Sequence, residues 1–168
     1  MKRRFLILSV MATAALSACA QRTKSKFKSY NGPEVTYIVV NKADRQMFLF
    51  HNDRVLKEYE FDLGFEPIGD KFFEGDGRTP EGNYFIDRRN PNSRFHLSLG
   101  ISYPNAQDRA EAAALGKPPG GDIFIHGESN PFKLGKNDWT WGCIAVPNRE
   151  METIYAMVKN GTPIKINP

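Results

Sequence analysis

The pattern of apolar and polar residues predicts a domain built mainly from short strands. Apolar and β-branched residues are concentrated in Val35–Asn41 and Gln46–Phe50, on either side of a turn-like segment, which predicts a hairpin. In Val55–Leu63 apolar and acidic residues alternate, as is typical of a strand with one buried face. Further strands are predicted at Gly82–Ile86, Arg94–Ile101, Gly121–Gly127 and Thr162–Ile166.

Two other segments have the composition and spacing of helices. Asn105–Gly116 is rich in alanine and ends at a glycine. In Asn148–Gly161 the residues at helical spacing are Met151, Ile154, Tyr155 and Val158. Asn148 is the predicted N-cap of this second helix, and Gly161 lies just beyond its end. The predicted fold class is therefore mainly β, with two short helices.

The N-terminus has the organisation of an export signal. A basic start, Met1–Arg4, precedes an apolar run at Phe5–Leu16 that is too short to span a bilayer. The next residues, Leu-Ser-Ala-Cys, resemble the bacterial lipobox, whose cysteine is acylated after cleavage. That resemblance implies a signal peptide at 1–18, a lipid on Cys19 and a location on the periplasmic side of a bacterial membrane, most naturally the outer membrane. The alternative is an ordinary secretory signal cut near Ala18 or Ala20.

The charge of the chain is unevenly distributed. The formal net charge is +4, but residues 1–33 hold seven basic residues and no acidic one, so residues 34–168 have 16 basic against 19 acidic residues. The folded part is thus mildly acidic, and its composition gives no support for a nucleic-acid partner. Residues 19–33 are polar and basic and predict a flexible membrane tether. Residues 34–168 are long enough for one domain with a single core.

Cys143 is the residue with the clearest potential for chemistry. Exported proteins usually pair their cysteines, so a lone thiol is either buried and inert or kept for its reactivity. A cysteine nucleophile needs a base and hydrogen-bond donors for the oxyanion. Of the three histidines, His51 is predicted in an exposed turn and His96 on the surface or in a cleft. His126, at the end of a buried apolar run and 17 residues before Cys143, is the candidate base.

The residues around this pair resemble the L,D-transpeptidase catalytic domain. The family hallmark is histidine-glycine, a loop, and then Ser/Thr-x-Gly-Cys-Ile/Val, which matches His126-Gly127 and Thr140–Ile144. The segment Thr79-Pro80-Glu81-Gly82-Asn83-Tyr84 is similar to the family's upstream motif, and the similarity covers roughly Val35–Ile166. Leu99–Gly127 is similar to the periplasmic murein branch that includes amidases of peptidoglycan-bound lipoprotein. The fold implied is an L,D-transpeptidase-type β-sandwich.

The resemblance also implies roles for individual residues. Cys143 is the nucleophile, and His126 is its base or its cationic partner. Trp141, Gly142 and Gly127 provide the backbone around the oxyanion. The implied substrates are peptidoglycan stem peptides, and no cofactor is expected. A metal site is not expected either, because no third histidine or cysteine has ligand-like spacing.

Substrate binding is assigned to Thr140 by the same resemblance, but the chain departs from the family at two positions. Trp141 stands where many members have a second histidine, and Ala145 where many have an arginine. Without that cation, Arg78 becomes the candidate anchor for an acidic stem peptide, unless it is a structural turn residue. Trp139 and Trp141 either stack on sugar rings or pack the loop.

Three functions remain open on the sequence. The first is a transpeptidase that joins stem peptides through a Cys143 thioester. The second is a hydrolase of the same chemistry, including an amidase that releases peptidoglycan-linked lipoprotein. The third is a lipid-anchored protein that binds the wall without catalysis.

Overall fold

The computed structural model describes residues 25–128 and 137–168. The predicted signal peptide and the predicted lipid on Cys19 lie outside these ranges, as does half of the segment between His126 and Cys143. In the two described ranges, no helix combines the length and the apolar character needed to cross a bilayer.

The described ranges contain eight strands and two helices. The strands are β1 (Tyr37–Asn41), β2 (Gln46–His51), β3 (Arg54–Glu60), β4 (Gly82–Asn90), β5 (Ser98–Ile101), β6 (Phe124–His126), β7 (Ile144–Ala145) and β8 (Pro163–Asn167). The helices are α1 (Ala106–Ala114) and α2 (Asn148–Met157). The prediction of a mainly β fold with two short helices is confirmed.

All eight strands belong to one curled sheet in the order β3-β2-β1-β8-β4-β5-β6-β7. Strand β4 joins its two halves, because its first residues pair with β8 and its later residues pair with β5. The register shifts between Ile86 and Arg88, and a bulge of this kind bends a strand. The outer edge of β7 is covered by Asp62, which pairs with Ala145, so the exposed edge of this half is short.

Both halves of the sheet line a single hydrophobic core. From the first half the fully buried residues include Ile38, Val40, Met47 and Leu49, and from the second they include Leu99, Ile125 and Ile144. Helix α2 closes the core with Met151 and Ile154. Each such side chain contributes about 1.5–3 kcal/mol through removal from water, which makes this core the main source of rigidity beneath the site.

Helix α1 begins and ends as its sequence dictates. The Asn105 side chain accepts hydrogen bonds from the Gln107 and Asp108 backbone, and Asp108 bonds back to the Asn105 N–H, which is a capping box. Gly116 follows the helix with φ +65°, a conformation that glycine adopts without strain.

Three other features predicted from the sequence differ from the structure: a helix cap, the start of a strand and the burial of one residue. Helix α2 is capped by the backbone of Pro147 rather than by Asn148, whose side chain instead accepts a hydrogen bond from the Glu128 N–H at 2.7 Å. The strand predicted from Arg94 begins at Ser98. Val55 is exposed although its spacing predicted burial, because the β2–β3 register skips Leu56 and reverses the alternation.

Residues Ser25–Tyr30 lie against the domain, and we name them the N-terminal strap. The Lys26 ammonium donates to the carbonyls of Pro91 and His96 at 2.6 and 3.0 Å. The Lys28 ammonium contacts the first turns of α2, at Arg149 O, Thr153 Oγ1 and Glu152. The strap thus lies on the folded domain, and the flexibility predicted for residues 19–33 stays a prediction.

Candidate active site

His126 is the last residue of β6 and is held between two strands. It is opposite Ser98 of β5 and Ala145 of β7, and only 3% of it is exposed. Its Nδ1 lies 2.6 Å from the carbonyl oxygen of Gly127. A carbonyl only accepts hydrogen bonds, so in the neutral ring Nδ1 carries the hydrogen and Nε2 keeps its lone pair. His126 therefore has the tautomer of a general base.

Gly127 holds that carbonyl in place and must be a glycine. Its N–H is shared between the carbonyls of Phe95 and Leu97, at 3.0 and 3.1 Å. A Cβ at this position would come within 2.4 Å of the Asn148 Oδ1, closer than real Cβ contacts. The family-type glycine after the histidine thus follows from close packing against the start of α2.

Two aromatic rings enclose the imidazole of His126. The ring of Phe95 stacks on it at 4.5 Å with an interplanar angle of 29°, and Trp139 meets it edge-on at 5.7 Å. The Trp139 indole N–H donates to Asp62 Oδ2 at 3.2 Å, so this tryptophan packs the site. Trp141 is 72% exposed and contacts only the edge of Phe65 among the ring pairs of the described residues, so its indole is open to a ligand.

Cys143 follows a tight turn that Thr140 stabilises. The Thr140 hydroxyl donates to the Cys143 carbonyl at 2.7 Å and accepts from the Gly142 N–H at 3.2 Å. Gly142 has φ +116°, and a Cβ there would lie 2.5 Å from the Arg78 carbonyl. The sequence Thr-x-Gly-Cys is thus the pattern of a turn that needs a hydroxyl at its first position and a glycine at its third.

The sulfur of Cys143 lies beside the chain that leads into β6. The Phe124 N–H donates to Sγ at 3.4 Å, and Sγ lies 3.5 Å from the carbonyl of Asp122. Both the thiol and His126 are therefore positioned by the same short strand, the thiol beside its beginning and the imidazole at its end.

Three cavities of about 380, 270 and 360 Å³ meet at Cys143. His126 lines the first two, with Phe95 between them. The third lies on the other side of the thiol, between the Lys71–Gly75 and Gly120–Ile123 segments. The predicted pair is thus brought together, and an extended substrate has access to the thiol from more than one direction.

Burial governs the protonation of both groups. It lowers the pKa of His126 to about 4, although the hydrogen bond to Gly127 acts in the opposite direction. It also raises the pKa of the Cys143 thiol to about 11, against a smaller lowering by the Phe124 N–H. Cys143 is half-buried as a residue, and its sulfur contacts the Phe124 N–H and the Asp122 carbonyl. Near pH 7 the pair is therefore a neutral thiol beside a neutral imidazole, which favours general-base chemistry over a preformed ion pair.

The residues predicted around the oxyanion differ in their availability. The N–H of Gly127 is bonded to Phe95 and Leu97, and the N–H of Gly142 is bonded to Thr140. Both glycines therefore shape the backbone with their donors engaged. Trp141 and Cys143 contribute the remaining N–H groups of the turn.

The two side chains predicted to bind substrate are engaged within the fold, although Thr140 also lines the cavity of about 270 Å³. Thr140 is 4% exposed, and its hydroxyl serves the turn. The Arg78 guanidinium lies against Gly69, while the Arg78 carbonyl packs on Gly142. The backbone of Arg78 is thus part of the site, and its binding of substrate stays a prediction.

Lys71 is a residue of the site that sequence reasoning missed. It is 2% exposed, and its ammonium pairs with Asp76 at 2.7 Å and donates to the Phe73 carbonyl at 3.0 Å. It lines the third cavity beside Cys143, and its charge is a minor cause that acts against the raising of the thiol pKa by burial. The available signal was a lone lysine in a glycine-containing loop directly before the Thr-Pro motif, a pattern that does not by itself indicate burial.

Comparison with known proteins decides the family. Residues 35–166 match the YkuD family, described as the L,D-transpeptidase catalytic domain. The chain belongs to this family. The matched range agrees with the extent predicted from the motifs, and it contains His126, Cys143 and the Thr-Pro segment.

Relatives in other bacteria are similar over most of this chain. YafK of Escherichia coli strain K12 is 27% identical over 163 residues, which cover 91% of this chain and 60% of YafK. YkuD of Bacillus licheniformis is 30% identical over 131 residues, which cover 78% of this chain and 65% of YkuD. Both names give L,D-transpeptidase as an inferred activity. The chain thus spans less than two thirds of the length of these relatives.

Solved structures share the fold. The helical cell shape determining protein Pgp2 from Campylobacter jejuni matches with a TM-score of 0.61 and 26% identity, over 86% of this chain and 51% of Pgp2. Bd1075 from Bdellovibrio bacteriovorus matches with a TM-score of 0.56 and 26% identity, over 79% of this chain and 48% of Bd1075. An L,D-transpeptidase from Mycobacterium smegmatis, 16% identical with a TM-score of 0.53 over 80% of this chain and 59% of that one, shows the fold alone.

Proposed function

We propose that this protein is a peptidoglycan-modifying cysteine acyltransferase, an L,D-transpeptidase that works through a thioester on Cys143. The observation that carries the proposal is the shared placement of Cys143 and His126 in two cavities, with His126 Nδ1 bound to the Gly127 carbonyl. That arrangement leaves Nε2 as the base, and the family membership supplies the reaction class.

In the first half of the reaction Cys143 Sγ attacks the carbonyl of an L-centre that is joined to a D-residue. The thiol proton passes to His126 Nε2 as the carbon–sulfur bond forms. We assign the oxyanion to the N–H groups of Trp141 and Cys143, the other backbone donors of this turn. The amide carbon–nitrogen bond then breaks, and the proton on Nε2 goes to the departing amine.

In the second half an amine from another stem attacks the thioester. His126 removes one proton from that amine, the new amide bond forms, and the thiol is restored with the proton. One amide is exchanged for another, so no cofactor is needed. Water in place of the amine gives a carboxylic acid, which is the hydrolytic outcome of the same chemistry.

The neutral resting pair suits an enzyme that is exposed to an oxidising compartment. A thiol with a raised pKa is a poor target for oxidants and disulfides, because the thiolate is the reactive form. The thiolate then forms only as the substrate carbonyl approaches and His126 accepts the proton. The proposed location is the periplasmic side of a bacterial membrane, held by a lipid on Cys19.

The docked strap shortens the reach of such an anchor. Five residues lie between Cys19 and Ser25, where the strap begins, so the anchor lies at most about 20 Å from the domain surface. We therefore place the enzyme close to the membrane and to the peptidoglycan next to it.

Mass spectrometry of muropeptides tests the proposal directly. The full chain in detergent is incubated with purified peptidoglycan, beside the Cys143→Ala variant. New crosslinks between third-position residues, or exchanged D-amino acids, are expected with the wild type, and only the uncatalysed background with Cys143→Ala. Shortened stems or released lipoprotein peptides without new bonds would replace the transpeptidase with a hydrolase of the same chemistry.

If no muropeptide change depends on Cys143, both enzymatic functions are overturned. Binding to the wall without catalysis would then be the remaining function. In that case equal amounts of wild type and Cys143→Ala should sediment with peptidoglycan.

A further inference from the structure

We propose that the N-terminal strap is a working part of the active site, in which Lys26 is a positioning residue that fixes the turn carrying Phe95 against the imidazole of His126. The inference rests on the proposed function in that it gives His126 the role of base. The structural part of the inference, which is the link between the strap and His126, does not depend on the substrate.

The first link joins the strap to the connection between β4 and β5. Lys26 Nζ donates to the Pro91 carbonyl at 2.6 Å and to the His96 carbonyl at 3.0 Å. These two acceptors stand at the two ends of the turn that contains Phe95, so one ammonium ties both ends together. Hydrogen bonds with a charged donor are stronger than neutral ones, which makes Lys26 an effective clamp for a turn of irregular structure.

The second link joins the same turn to helix α2 and back to the strap. His96 Nε2 lies 3.1 Å from Glu152 Oε1, and Glu152 Oε2 lies 3.3 Å from Lys28 Nζ. His96 has φ +69°, an unfavourable conformation for a residue with a side chain. Such a residue persists only where its surroundings determine it, and here the surroundings include both lysines of the strap.

The third link joins the turn to the base. Phe95 stacks on the imidazole at 4.5 Å, and its carbonyl accepts a hydrogen bond from the Gly127 N–H at 3.0 Å. Gly127 in turn accepts the His126 Nδ1–H at 2.6 Å. The turn thus controls both the face of the ring and the carbonyl that sets its tautomer.

A loosened turn would open His126 to water through the cavity of about 380 Å³ that it lines. The charged side chains that line this cavity are Arg94 and Asp122, and Cys143 is the titratable group opposite the imidazole. Burial is the main cause that lowers the pKa of His126 to about 4. Hydration would bring this pKa back toward the ordinary 6.5 and leave the ring free to tilt.

The test compares full-length Lys26→Met with Lys26→Arg and with Lys57→Met. Lys57 is an exposed lysine on β3, so it is a matched control for loss of one surface charge. We expect Lys26→Met to lower kcat about tenfold with KM changed less than twofold, because misplacement of a base affects the chemical step. The apparent pKa of the acid limb of the pH–rate profile should rise from about 4 toward 6.5. Lys26→Arg should restore both quantities, since it still donates to carbonyls.

The titration of the His126 Cε1 proton by NMR gives a readout that needs no substrate. The expected result is a higher pKa in Lys26→Met and an unchanged one in Lys57→Met. Equal titration curves in these two variants would overturn the inference, even if Lys26→Met unfolds at a lower temperature. If wild type acts on no muropeptide but the titration shifts as expected, the proposed function fails while the link from strap to His126 stands.

Discussion

The two halves of the sheet differ in how regular they are. In the first half, β1, β2 and β8 have five or six residues and alternate between buried and less buried positions. In the second half, β5, β6 and β7 have four, three and two residues, and all four residues of β5 are buried. The first half supplies one wall of the core, whereas the second half ends its strands early and places reactive side chains at the ends.

Backbone strain follows the same division. In the first half, the non-glycine residues with positive φ are Arg45 and Asn52, both in hairpin turns. In the second half, His96 and Asp122 have positive φ beside the imidazole and the thiol, and Asp138 has φ +49° directly before Trp139. Strained residues are kept where the surrounding structure determines them and where they aim functional groups. The regular half therefore supplies stable packing, and the irregular half holds the candidate catalytic residues.

The largest effect on turnover is expected from His126→Gln, which removes the proposed base from the irregular half. Glutamine keeps much of the volume but has no lone-pair nitrogen to accept the thiol proton, so kcat should fall about 10³-fold. The matched control is His51→Gln in the regular half, where His51 bonds to the Glu34 carbonyl at the surface. Muropeptide turnover at saturating substrate measures both, and equal rates in the two variants would rule out His126 as the base.

The same variant should also be less sensitive to acid. Folding lowers the pKa of His126 from 6.5 to about 4. Between these pH values His126 is therefore protonated in the unfolded chain and neutral in the folded protein. The free energy of unfolding of wild type should therefore fall by about 3 kcal/mol from pH 7 to pH 4 through this group. Denaturant titrations at the two pH values should show a smaller fall for His126→Gln.

A smaller loss is expected from Gly142→Ala, which tests whether strain in the irregular half serves catalysis. At φ +116° and with the Arg78 carbonyl 2.5 Å from the new Cβ, the turn must shift and move the thiol. A displacement of about 1 Å costs roughly 10²-fold in rate. The control is Gly116→Ala at the end of α1, where φ is +65° but nothing lies within 4 Å. If both variants keep full activity per folded molecule, the turn geometry is not required.

How much of this could be predicted depends on how local the signal is. The hairpin of β1 and β2 and both helices follow from spacing and turn residues, and the pairing of His126 with Cys143 was predicted from the resemblance to the family's motifs. Strand β7 has only two residues and was not predicted, because it exists through its contacts with β6 and Asp62. Lys71 and the docked strap depend on carbonyls and carboxylates that come together only in the fold, so neither composition nor periodicity could indicate them.

The smallest effect on turnover is expected from Leu49→Ala. This variant tests whether the regular half contributes to stability without affecting the site. Leu49 is fully buried in the regular half, and truncation of a buried leucine lowers the free energy of unfolding by about 2–5 kcal/mol. The site lies in the other half, so kcat per folded molecule should stay within twofold of wild type. Val55→Ala on the exposed side of β3 is the matched control and should change stability by no more than about 0.5 kcal/mol. Urea unfolding and turnover are measured on the same preparations, and a large loss of kcat in folded Leu49→Ala would mean that the regular half also tunes the site, because the shared core transmits its packing.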